Sequence, residues 1–174
     1  MSKPLDAPMS RHKTAALELI DQQSTMTLAT SANNRAWAAP VYYVRQKAAF
    51  YFFSKPESQH VQEALANDSV AAAIYPYAET WQGIRGIQMS GQVSPVRPGF
   101  RALQAVRAYI GKFPFTSDFF EDGQVIDLVG FSKRFRVKLY CFTPQCVYYL
   151  DNSVQFGFRS EIDLYSMAQP EHRE

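Results

Sequence analysis

Apolar and polar positions change period several times along the chain, and each change marks an element. Between Arg11 and Gln22, Ala16, Leu17 and Ile20 recur at helical spacing and predict a helix after ten loose residues. Thr25 to Thr30 reads as a strand, and Ser31-Ala32-Asn33-Asn34-Arg35 as a turn by composition. Trp37 to Val44 is the next strand, rich in β-branched and aromatic residues; Pro40 has no amide donor, which places this strand at a sheet edge or a bulge. A turn at Gln46-Lys47 leads into a buried strand, Ala49 to Phe53. Ser54 and Glu57 stand in capping-box relation ahead of a helix with Pro56 in its first turn and Val61, Ala64 and Leu65 as its buried stripe. Ser69 to Tyr75 returns to strand character and Pro76 stops it.

Further on, Ile87, Met89 and Val93 alternate with Gln88, Ser90 and Gln92, which predicts a strand over 84–93 with one buried face. Phe100, Leu103, Val106 and Ile110 space as a helix face closed by Gly111. Lys112 to Phe131 is irregular. Phe135, Val137, Leu139 and Cys141 then alternate with polar residues, and Thr143-Pro144-Gln145 predicts a hairpin turn into Val147 to Leu150. Six or seven strands joined by short turns, with about three helices, predict an antiparallel, mainly β fold that closes into a small barrel. An open α+β sheet gives a similar string.

Composition narrows this picture. A chain of 174 residues that is 47% hydrophobic can fill one core, and we read residues 1–174 as a single domain with loose tails at 1–10 and 166–174. Lys and Arg number 18 against 16 Asp and Glu, a net charge of +2 that argues for neither nucleic acid nor an anionic membrane as partner. The longest apolar runs, such as Val70 to Tyr75, are too short to span a bilayer. No secretory signal opens the chain, and two cysteines cannot staple a fold of this size, so the expected compartment is the cytoplasm.

Several chemistries lack their sequence marks. There is no G-x-G-x-x-G, no G-x-x-x-x-G-K-[ST], no G-x-S-x-G and no C-x-x-C, and His12, His60 and His172 are scattered, so no metal site is expected. Cys141 and Cys146 flank the expected hairpin turn as a redox pair or as two core cysteines. Three segments carry candidate binding chemistry. Phe53-Ser54-Lys55 to Ser58-Gln59-His60 runs from a buried strand into a helix start, where free amides, hydroxyls, an imidazole and a lysine can meet a phosphate; a plain polar helix start would read the same. In Trp81 to Gln88, Gly86 offers close approach to a flat ligand, Arg85 an anion partner and Gln88 a donor and acceptor, or the stretch is simply an exposed sheet face. Ala36-Trp37-Ala38-Ala39-Pro40-Val41-Tyr42-Tyr43 exposes backbone groups through small residues beside a proline, able to address a heterocycle edge.

In this order and spacing, these segments over roughly Leu19 to Ile162 resemble the FMN-binding split-barrel superfamily of pyridoxamine 5′-phosphate oxidase-like proteins. Ile84-Arg85-Gly86-Ile87-Gln88-Met89-Ser90-Gly91 and Leu150 to Phe158 resemble its YhbP-like branch. The resemblance implies a six-stranded antiparallel Greek-key barrel and a homodimer with two FMN sites at the subunit interface. It implies that Ala38 to Tyr43, including Ala39, Pro40, Val41 and Tyr42, run along the isoalloxazine edge and that Phe53 and Ser54 continue that wall. It also implies that Ser58, Gln59 and His60, with Lys55, stand where the oxidases clamp the phosphate, and that Arg85 and Gln88 reach the flavin from the second subunit. The expected function is a flavoprotein oxidoreductase working by two-electron transfer, with His60 and Tyr42 as candidate proton donors. The alternatives are a dimer that binds flavin or haem without turnover, and a cofactor-free structural dimer. Gln59 and His60 replace two strong cations of the oxidases, and after Tyr149 only Arg159 can stand for their substrate-contacting residues.

Overall fold

The structure is a computed structural model and describes residues 7–119, 132 and 136–165. Among the described residues, eight strands form one antiparallel sheet: β1 (Thr25–Ala32), β2 (Arg35–Tyr42), β3 (Val44–Gln46), β4 (Ala49–Ser54), β5 (Val70–Ile74), β6 (Arg85–Pro95), β7 (Lys138–Asp151) and β8 (Arg159–Glu161). Helices α1 (Ala7–Gln22), α2 (Gln59–Ala66) and α3 (Phe100–Lys112) accompany them among the described residues. The strand order is β2-β1-β5-β6-β7-β4-β3, with β8 beside β7. The sheet curls until its end strands meet: only Tyr43 separates β2 from β3, and β2 lies against β4. The expected mainly β split barrel is therefore present, with eight strands rather than six because the three-residue β3 and β8 join the ladder.

Inside the curl lie Met26, Leu28, Phe50, Phe52, Ile74, Ile87, Met89, Phe142 and Tyr149, joined by Leu19 and Ile20 of α1 and Val61 and Ala64 of α2. A second cluster forms outside it, where Ala102, Ala105, Tyr109 and Phe113 meet Val44, Tyr51 and Leu139. The β3–β4–β7 region is thus buried on both faces, which explains its near-continuous apolar sequence. Pro40 sits in β2, at the edge of the sheet, as its missing donor requires. The Asn33-Asn34 turn takes positive φ at both residues (50° and 64°), the backbone of a two-residue hairpin turn.

Several local expectations fail. Helix α1 begins at Ala7 rather than Arg11, so Pro8 falls in its first turn, where a proline is tolerated. The capping box does not form: Ser54 remains the last residue of β4, Lys55 to Ser58 make a turn closed by Ser58 N–H to the Lys55 carbonyl, and α2 starts only at Gln59. Leu65 faces solvent, and the third buried residue of α2 is Glu63. Helix α3 buries Ala102, Ala105, Val106 and Tyr109, leaving Phe100 and Leu103 exposed, and it runs past Gly111 to Lys112. There is no hairpin at Thr143-Pro144-Gln145: β7 is one strand of 14 residues that passes from β4 to β6 through a bulge. Cys141 and Cys146 accordingly lie on one strand, both free, and do not flank a turn. The expectations for Phe135, for residues 120–131 and for both extreme tails lie outside the described residues.

Candidate functional site

The turn between β4 and α2 gathers three of the expected residues. Ser54 Oγ lies 2.8 Å from His60 Nε2 and 3.1 Å from Ser58 Oγ, and Ser58 Oγ donates to the Lys55 carbonyl at 2.7 Å. Ser58 is the N-cap of α2, yet its hydroxyl caps no helix amide. The first helix hydrogen bonds run from the Val61 and Gln62 amides to the Ser58 carbonyl. The Gln59 and His60 amides precede them, as helix-start donors do. Burial holds the His60 pKa below its ordinary value, partly offset by nearby Glu63, so the imidazole is neutral at pH 7. Lys55 is exposed beside the turn.

Gln59 does not join this group. Its amide donates to Glu63 Oε1 at 2.8 Å, while Thr30 Oγ1 donates to Glu63 Oε2 at 2.6 Å. These bonds, Thr30 first, hold the Glu63 pKa below the usual carboxylate range. They pin α2 across β1. They also fix a negative charge one helical turn behind His60, which works against an anion there. A cation that sequence reading missed stands on the other side: Lys138 is the cross-strand partner of Ser54. Partners in this position project to one face. Only the strand register, a long-range property, brings them together.

The remaining candidates lie elsewhere. Ala39 and Val41 turn into the core, while Ala38, Pro40 and Tyr42 face out. The Tyr43 amide points to the Ser24 carbonyl. Backbone groups alternate along a strand, so those of Ala38, Pro40 and Tyr42 point away from the sheet at its free edge. Phe53 is on the opposite face to Ser54 and meets Tyr109 of α3 edge-on, ring centroids 5.0 Å apart. Gly86 admits no ligand: a Cβ there would come within 3.0 Å of the Ile74 carbonyl oxygen, so the close approach is made by the end of β5. Arg85 and Gln88 are both exposed on β6.

Register places Gln88 in a rank that reads Pro40, Thr27, Ala73, Gln88, Tyr148, Glu161 across β2, β1, β5, β6, β7 and β8. The next rank reads Ala38, Ala29, Ala71, Ser90, Cys146. This outer face is built largely of small residues. Arg159 spans one corner, its guanidinium 3.9 Å from the centre of the Tyr148 ring. Arg85 stands at the start of β6, whereas the Ser54–Lys138 pair lies beyond its end, since Pro95 already pairs with Tyr140. Ten residues of strand separate Arg85 from Pro95, about 33 Å. Within one chain, Arg85 and the Ser54–Lys138 pair thus stand toward opposite ends of β6.

The curled antiparallel sheet, with a strand running into a polar helix start, defines a split-barrel protein. A family model for pyridoxamine 5′-phosphate oxidase matches residues 13–128, two-thirds of the chain, and the chain belongs to that family. It is 28% identical over 103 residues to the UPF0306 protein YhbP of Escherichia fergusonii, covering 58% of this chain and 69% of that protein. Among solved structures, an FAD-binding protein from Mesorhizobium loti matches with a TM-score of 0.56 at 16% identity, covering 77% of this chain and 90% of the other. A heme-binding protein from Mycobacterium smegmatis matches with a TM-score of 0.63 at 16% identity, covering 95% and 62%. At these identities the structural likeness speaks for the fold. Among the described residues no helix is long and apolar enough to cross a membrane, and no three His, Cys, Asp or Glu side chains gather as metal ligands.

Proposed function

We propose that the chain is a cytoplasmic flavoprotein oxidoreductase, a homodimer that binds FMN between its subunits. The observation that carries this reading is the convergence of Ser54, Ser58 and His60 on uncapped amides at the start of α2, with Lys55 and Lys138 alongside. Two hydroxyls, two amides and two ammonium groups fit a phosphate monoester. Neutral His60 fits as a hydrogen-bond donor rather than as a charge. Glu63 lowers the net positive field, so the affinity expected is modest.

When bound, the flavin supplies two-electron chemistry. The chain's own residues bind and orient it. Ser54 and Ser58 would meet the phosphate through their hydroxyls, Ser58 turning its hydrogen from the Lys55 carbonyl to do so, and the Ala38, Pro40 and Tyr42 backbone offers acceptors and, except at Pro40, donors at an open edge. The small-residue outer face supports packing of a second copy, which would deliver its Arg85 and Gln88 to this chain's site. Family membership and the FAD-binding relative of the fold support a flavin in particular. Titration of the purified protein with FMN, followed by quenching of flavin fluorescence, tests this. Saturation at one FMN per chain is expected, with at least tenfold weaker binding after joint Ser58→Ala and His60→Ala substitution. Unchanged affinity in the variant removes the phosphate assignment.

The likeness to a heme-binding fold supports a second reading, in which the same barrel holds a flat ligand without turnover. It predicts ligand binding but no flavin reduction by NADH or NADPH.

A further inference from the structure

A cleft of about 850 Å3 opens between α3 and the β3–β4 hairpin, away from the turn described above. Ala49, which lines it, is five residues along β4 from Ser54. That is about 17 Å of strand. We propose that this cleft is a second ligand site, taking a small carboxylate with an apolar body.

The argument rests on how its charges are placed. Arg101, Gln104 and Arg107 recur every three residues on one stripe of α3 and line one wall; Lys47 stands at the hairpin tip opposite. The core-facing residues of α3 are Ala102, Ala105, Val106 and Tyr109, so this stripe is not needed to hold the helix in place. Three cations meet in one cleft, no Asp or Glu is among its lining residues, and no ion pair among the described residues engages them. Like charges gathered without a counter-charge repel one another, and an anion relieves that cost. The floor is different in kind: Ala48, Ala49, Tyr51 and Cys141 offer mainly apolar surface. Burial raises both the Tyr51 hydroxyl and the Cys141 thiol, and the positive charge of Arg101, which lines the same cleft, partly offsets this in each. A planar guanidinium fork matches a carboxylate in two parallel hydrogen bonds. The volume falls within the range of small-molecule sites. Cationic wall and apolar floor together select an amphipathic anion.

Titration of the full chain with the fluorescent anion 1-anilinonaphthalene-8-sulfonate tests this, with competition by decanoate, decanol, inorganic phosphate and FMN. Saturable binding is expected, displaced by decanoate and not by the other three. The Arg101→Gln, Arg107→Gln variant is expected to bind the probe about tenfold more weakly or worse while melting at the same temperature. Lys47→Gln gives the same reading, with a smaller loss, where the double variant melts early. The proposal is overturned by absence of saturable binding, by equal probe affinity in parent and variants, or by decanol or phosphate competing as well as decanoate. Displacement by FMN overturns it as well, because the cleft would then belong to the flavin site.

Discussion

Replacing Gly91 by alanine tests the bulge that joins the two halves of the barrel. Strands β6 and β7 share the longest ladder of the sheet, and its register shifts once: Ser90 pairs with Cys146 but Gly91 with Pro144, leaving Gln145 as the extra residue. A Cβ on Gly91 would fall 2.2 Å from the Thr143 carbonyl oxygen and 2.8 Å from the Pro144 Cα. Both obstacles are backbone, so no rotamer change relieves the overlap. The strands must part locally by about 1 Å, and packed interiors yield little. Loss of two ladder hydrogen bonds at about 1 kcal/mol each, with about 1–2 kcal/mol of residual overpacking, gives a cost of about 3–4 kcal/mol. For a chain of this size that lowers Tm by roughly 6–16 °C. Gly111, in α3, is the control: a Cβ there meets nothing within 4 Å. Gly111→Ala should stabilise by up to about 1 kcal/mol, because it restricts the unfolded chain and suits a helix. Thermal melts by circular dichroism read both. A Gly91→Ala protein melting within about 2 °C of the parent would refute the reasoning, since even the lower bound of the cost exceeds that.

Two further outcomes follow from buried polar groups. His60 has a folded-state pKa below its ordinary value because of burial, so protonation opposes the folded state. Its contribution is fully present above the ordinary histidine range and is lost as pH falls toward the folded value, so urea midpoints should drop between about pH 7 and pH 5. His60→Gln should flatten that part of the profile; an unchanged slope would place its origin elsewhere. Tyr43 is fully buried between the two end strands, and its hydroxyl donates to the Ile20 carbonyl of α1. Tyr43→Phe strands that acceptor and should cost about 1–3 kcal/mol in denaturant unfolding; a cost below about 0.5 kcal/mol would mean that water satisfies the carbonyl.

Where a signal was local and strong, the sequence disclosed the structure. The alternation of Ile87, Met89 and Val93 gave the buried face of β6, and Pro40 marked an edge strand because a missing donor has one place to go. Errors arose where a local rule competed with a distant partner. Thr143-Pro144-Gln145 has turn composition, but Gly91 on the facing strand makes room for a bulge, and the strand continues. Ser54 and Glu57 have capping spacing, but Ser54 stays in β4 opposite Lys138. In α3 the buried face is made of Ala102 and Ala105, whose small side chains hardly register as hydrophobic against Phe100 and Leu103. The candidate site divides the same way. Ser54, Ser58 and His60 are close in sequence and were legible together; Lys138 lies far along the chain from all three and was not.

The same distance argument yields a sharper test of where the flavin site is assembled. Arg85 lies about 33 Å of strand from the end of β6, near which Ser54 stands, so within one chain they sit toward opposite ends of that strand. Under the proposed dimer, each site draws Ser58 and His60 from one subunit and Arg85 and Gln88 from the other. Two defective proteins, one carrying Ser58→Ala with His60→Ala and the other Arg85→Ala with Gln88→Ala, should then complement. After unfolding and refolding as an equal mixture, random pairing makes about half the dimers mixed. Each mixed dimer holds one site with both defects and one with neither, so about a quarter of all sites should regain parental FMN affinity. Neither protein alone should regain any. If the mixture binds no more FMN than the average of its parts, Arg85 and Gln88 do not reach across the interface. The outer face of β6 would then have some purpose other than completing a neighbour's site.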